Sequence, residues 1–148
     1  MRTNPIRVML VLLALATTST LTIEGGQKSR SGNPLSGTSW QLVKFQGPDE
    51  RTFSPADKSK YTITFGANGR VTARVDCNRA SSTWKATGNG QLEFGSWDRT
   101  SAKCGTGSLH DQIVYEGGAV RKFWIKDEHL FLSGMEAGGF YELEPVKR

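Results

Sequence analysis

The sequence is poor in the residues that carry chemistry. It holds two cysteines and two histidines in 148 residues. A structural zinc site needs four such ligands at short spacings, so Cys77, Cys104, His110 and His129 do not make one. There is no basic run. Nineteen Lys and Arg against fourteen Asp and Glu leave a formal charge of +5 spread along the chain, whereas nucleic-acid binding calls for a clustered patch. Gly117-Gly118 and Gly138-Gly139 match no phosphate-binding fingerprint. Ser108-Leu109-His110-Asp111 has the residue types of a hydrolytic triad, but neighbours on one helical turn cannot form the relay. No catalytic residue, metal or cofactor is therefore assigned, and an enzyme is not expected.

Long hydrophobic runs are also scarce. Ile6 to Ala16 is the longest, interrupted by Arg7, and falls well short of the roughly 20 apolar residues of a membrane span. Arg2 and Arg7 mark its charged start and Thr17-Thr18-Ser19-Thr20 follows it, the pattern of a secretory signal. An uncleaved anchor is the competing reading, which the short run disfavours. Residues 1–24 are assigned to the signal, with cleavage between 16 and 24, and no cysteine at the junction offers lipid attachment. Residues 25–34 are a polar, aperiodic lead, and 35–146 the folded domain. The expected product is a periplasmic or secreted monomer without a membrane span. Cleavage before Glu24 removes Arg2 and Arg7 and leaves 17 basic residues against 14 acidic, a mild +3.

Two cysteines in an exported chain point to a Cys77–Cys104 bridge, worth roughly 3–4 kcal/mol in the chain-entropy treatment. The alternative is a catalytic thiol working with His110 or His129, but neither histidine carries a local signature.

The rest is dominated by period-two alternation punctuated by turns. Trp40 to Phe45 reads as a first strand, and Phe53 to Lys60 as an irregular connector. Tyr61, Ile63 and Phe65 share one face of the next strand. After the Gly66-Ala67-Asn68-Gly69 turn, Val71, Ala73, Val75 and Cys77 form an inward set, with Arg70, Thr72, Arg74 and Asp76 outward. Gly88-Asn89-Gly90 makes a second hairpin between Thr83–Ala86 and Gln91–Phe94. Ser96 to Thr106 is a loop. Ser108 to Glu116 is the one helical candidate, capped by Ser108, with Leu109, Gln112 and Ile113 on one face. Ala119–Ile125, His129–Ser133 and Phe140–Glu144 close the chain as strands, the first pair joined by a Lys126-Asp127-Glu128 turn. Seven or so short strands and one helix define the expected fold: mainly β, a small antiparallel barrel or half-barrel meander with one short α-helix.

Leu35-Ser36-Gly37-Thr38-Ser39-Trp40-Gln41-Leu42 resembles the "L-x-G-T-x-W-x-L" opening of the META/HslJ-like domain family. Ile63-Thr64-Phe65, Gly69-Arg70-Val71, Cys77-Asn78-Arg79-x-Ser81-Ser82 and Phe94-Gly95 with Thr100 and Cys104 resemble its later blocks, in order, so the likeness spans Leu35 to Leu143. There are departures. Asp76 stands where the family usually has Gly, Ala80 where it often has an aromatic, and Ser101-Ala102 where Arg and Met are typical. The resemblance implies a barrel-like domain of bacterial envelope proteins, often linked to stress resistance, with the cysteines placed to pair and with neither enzymatic activity nor a cofactor.

The candidate interaction surface is Arg74, Arg79, Trp97 and Arg99, which the bridge between two loops would gather. The competing reading makes the arginines ordinary outer-face charges neutralised by Asp76 and Asp98, and gives Asn78 a local turn role. Trp40 and Trp84 read as core, and Trp97 as the partner-facing aromatic. The expected function is a non-catalytic exported protein binding an envelope protein or lipid, in a stress response. The alternatives are a secreted inhibitor of a protease or lysozyme, and a carrier of a lipid or small apolar ligand.

Overall fold

Alternating segments that can bury one face each must pair until their edges are covered. The computed structural model describes residues 32–47, 49–117, 120–134 and 139–147, in which such pairing produces a nearly closed antiparallel barrel. The elements are β1 (Thr38–Gln46), β2 (Thr52–Phe53), a 3₁₀ turn (Lys58–Lys60), β3 (Tyr61–Phe65), β4 (Arg70–Val75), β5 (Asn78–Ala86), β6 (Leu92–Phe94), β7 (Asp98–Arg99), α1 (His110–Gly117), β8 (Val120–Lys126), β9 (His129–Gly134) and β10 (Phe140–Pro145). The strand order is β6-β5-β4-β3-β1-β10-β9-β8, with β2 beside β1 and β7 beside β5. The two ends of this path meet where Phe123 N donates to Gly90 O at 2.8 Å and Gln91 bridges Lys122. Gly90 is required twice over: its φ is +72°, and a Cβ there would lie 2.7 Å from Phe123 O.

The core is what the alternation predicts. Tyr61, Phe65, Val71, Leu42, Leu130, Leu132 and Leu143 are buried inside the barrel, and Leu35 plugs it from the turn before β1. The Gly66–Gly69 turn closes the β3–β4 hairpin, with Gly66 N donating to Arg70 O at 2.7 Å. The β8–β9 turn lies at Asp127–Glu128, as expected, although both residues adopt positive φ (50° and 62°) without a glycine.

Several expectations shift. Phe53, expected to start an irregular connector, instead ends the short strand Thr52–Phe53, because it stacks on Phe45 of β1 with ring centroids 6.2 Å apart. Cys77 is not the last inward residue of β4. The ladder ends at the Val75–Asn78 pair, so Asp76 and Cys77 become the hairpin turn and Cys77 is exposed. Asp76 has φ +56°, a left-handed conformation that accounts for a glycine preference at this point. Asn78 and Arg79 therefore open the nine-residue β5 directly after that turn. The helix starts two residues later than expected, with Ser108 Oγ accepting from His110 N at 3.1 Å. Leu109 and Ile113 pack on the core while Gln112 is exposed. The signal and all of the polar lead before Gly32, like the Gly118 end of the helix and most of the 134–139 connection, lie outside the described residues.

The outer wall carries an ion-pair ladder. Glu142 sits 3.1 Å from Lys44 Nζ and 2.7 Å from His129 Nδ1 across three adjacent strands. Burial pushes the Glu142 carboxyl up, but the hydrogen bonds from His129 and Lys44 outweigh it and hold it below its ordinary 4.5. A depressed carboxylate stabilises the fold above its unfolded value, and that contribution is lost as the pH falls through its lower folded value. Chemical denaturation at stepped pH should accordingly show stability declining below about pH 4.5, and Glu142→Gln should flatten that decline while lowering stability at pH 7.

Candidate functional site

Directly opposed residues of an antiparallel ladder project to the same face. Trp40 pairs with Ile63, Ile63 with Ala73, Ala73 with Ala80, and Ala80 with Arg99. This row crosses β1, β3, β4, β5 and β7, and buried Trp40 fixes it as the interior row. Its middle is two alanines. The neighbouring row, Phe65–Val71–Ser82, is wholly buried and filled. The methyl groups of Ala73 and Ala80 leave the alanine row short of volume, and a cavity of about 180 Å³ results.

Apolar side chains form most of its wall, among them Ile63, Val75, Leu132 and Leu143, with Phe94 and Trp97 from the β6–β7 segment. Helix α1 contributes Ile113 and Val114. The barrel holds that helix by two tyrosine hydroxyls. Tyr61 OH accepts from Leu109 N at 3.0 Å, and Tyr141 OH donates to Ile113 O at 3.3 Å. Arg99 both borders the cavity and is exposed, so the space reaches solvent beside it. Among the described residues no Asp or Glu lines the cavity.

The segment that carries Trp97 and Arg99 is laid along β5 and pinned at its far end. Cys77 and Cys104 are bridged, with Cα atoms 5.6 Å apart, as the expected export and the family resemblance implied. Asn78 is buried to 2% exposure beside the bridge. Its Oδ1 accepts from Thr100 Oγ1 at 2.7 Å and from Ala102 N at 2.8 Å, and its Nδ2 donates to Ala102 O at 2.8 Å. Arg79 and Thr100 add a reciprocal pair, each backbone N–H bonding the other residue at 3.0 Å. The local turn role expected of Asn78 is thus a long-range one, spanning more than twenty residues of sequence.

Three of the four candidate surface residues, Arg74, Trp97 and Arg99, border the cavity, and Arg79 does not. Arg74 and Arg79 oppose each other on the outer register of β4 and β5, but Arg74 is half-buried at the edge of the cavity, where its Nε donates to the Asp76 carbonyl at 3.1 Å. Arg99 lies on the opposite, interior face. Trp97 is half-buried against Phe94, ring centroids 5.1 Å apart, because the β6–β7 segment turns its aromatics into the barrel. The exposed tryptophan is instead Trp124, 42% exposed on the outer wall and stacked on Phe131 at 5.1 Å. The alternation Phe123-in, Trp124-out was present in the sequence and could have shown this.

Residues 33–142 match the META domain, and the chain belongs to that family. No curated protein matches it. Two solved structures share the fold. One is an NMR structure of a protein from Burkholderia xenovorans, 18% identical with a TM-score of 0.65, covering 77% of this chain and 85% of that one. The other is a crystal structure of a DUF4847 family protein from Bacteroides vulgatus, 17% identical with a TM-score of 0.56, covering 78% of this chain and 96% of that one. No described helix is long and apolar enough to cross a membrane.

Proposed function

We propose that this protein is an exported, non-catalytic binding protein of the bacterial envelope that takes a small apolar ligand into its barrel. The observation that carries this reading is the apolar cavity of about 180 Å³. An apolar cavity of about 150 Å³ stays dry and accepts benzene, so this one suits a ligand with roughly six to eight buried non-hydrogen atoms. Both cysteines are consumed in a bridge, which removes the thiol nucleophile that an enzymatic reading needed. The inhibitor alternative needs a rigid loop that projects, whereas the bridged segment is stitched flat onto β5. Export supplies the setting in which that bridge persists.

Methyl NMR during titration with benzene tests the reading. The Ile113, Val114 and Leu132 methyl resonances are expected to move, and Ala80→Phe, which fills the row beside Ala73, is expected to abolish the response in a folded protein. Unmoved methyls in the wild type would remove the proposal.

A further inference from the structure

Arg99 gives the cavity a polarity that apolar packing does not explain. Register places it on the interior row beside Ala80, yet it remains exposed at the point where the cavity opens. Among the described residues no ion pair or side-chain hydrogen bond engages its guanidinium. This contrasts with Arg51, which pairs with Asp49, and Arg74, which is engaged by a backbone carbonyl. The other charged residue bordering the cavity, Arg74, is also cationic, so an anion entering there meets no like charge.

We propose that the ligand is an apolar monocarboxylate, seated with its hydrocarbon part among Ala73, Ala80, Trp97 and Ile113 and its carboxylate on the Arg99 guanidinium. The inference rests on the cavity reading above and names the ligand class for the same site. A planar guanidinium matches one carboxylate through two parallel N–H···O bonds, and such charge-assisted bonds are about twice as strong as neutral ones. The cavity limits the tail to about seven carbons by comparison with the benzene-sized case, which makes octanoate the natural probe and 1-octanol its neutral counterpart.

Isothermal titration calorimetry at pH 7 with these two probes decides the matter. Wild-type protein is expected to bind octanoate at least about tenfold more tightly than 1-octanol, the low end of the range for a hydrogen bond to a charged group. Arg99→Gln should level the two affinities by weakening octanoate alone. Arg99→Lys should restore part of the preference, since an ammonium supplies the charge without the fork. Arg79→Gln, on the outer face, should leave the preference intact. Equal affinities in the wild type, or a preference that survives Arg99→Gln, would overturn this inference while leaving the cavity reading in place. Failure of both probes to bind would overturn the two together.

Discussion

Joint replacement of Cys77 and Cys104 by alanine should cost about 3.5 kcal/mol of unfolding free energy. The bridge spans 27 residues, and the chain-entropy treatment assigns a closed loop of that length about 3.5 kcal/mol at 25 °C. For a domain of this size, with an unfolding entropy near 2.1 cal/mol/K per residue, the loss corresponds to roughly 15 °C in Tm. Urea denaturation of the variant beside the oxidised wild type measures it, and the slope with denaturant should rise because the unfolded chain without its cross-link exposes more surface. The consequence reaches the cavity. The bridge fixes the far end of the segment whose start holds Trp97 and Arg99, so octanoate binding is expected to weaken even at temperatures where the variant is folded. A loss under about 1 kcal/mol would show that the hydrogen bonds from Asn78 hold this segment without help.

What could be read in the sequence was local. Strict alternation in Tyr61–Phe65 and Val71–Val75 fixed which side chains face inward, and the glycines and Asn68 around 66–69 placed the hairpin, because period and turn chemistry are properties of neighbouring residues. The cysteine pairing followed from the export expected of the chain and from the family resemblance. What could not be read was register across strands distant in sequence. A two-residue strand such as Asp98–Arg99 has no periodicity, so nothing local told the interior Arg99 from the outer Arg79. Two departures from the family pattern were visible as letters while their meaning was not. Asp76 marks a position with φ +56°, and Ala80 empties an interior row that a larger side chain would fill. The cavity exists because Ala80 lies opposite Ala73 across the β4–β5 ladder, and that coincidence appears only when the ladder is built.

Asn78→Ala should destabilise the protein by about 3 kcal/mol, although the side chain touches neither cavity nor helix. It removes the acceptor for the Thr100 hydroxyl and the Ala102 N–H and the donor to the Ala102 carbonyl. A buried polar group stripped of its partner costs about 1–3 kcal/mol; water can reach the exposed side of residues 100–102 and recover part of that. Asn78→Asp keeps the acceptor but turns a carboxylate toward the Ala102 carbonyl, so it should be no better. The sharper expectation concerns coupling. Asn78 and the bridge hold the same segment, and once either is gone the other secures a chain that can already move away. Adding Asn78→Ala to the cysteine-free variant should therefore cost about 1–2 kcal/mol less than it does in the wild type, the non-additivity of groups that share one structural element. Additive losses would mean that the segment stays on β5 without either tether, held by the two Arg79–Thr100 hydrogen bonds and by Trp97 packed on Phe94. In that case Arg99 would keep its place at the cavity mouth, and octanoate affinity in the combined variant should match that of the wild type. A coupled loss should instead take the octanoate preference with it, because the guanidinium is positioned only as long as the segment behind it is held.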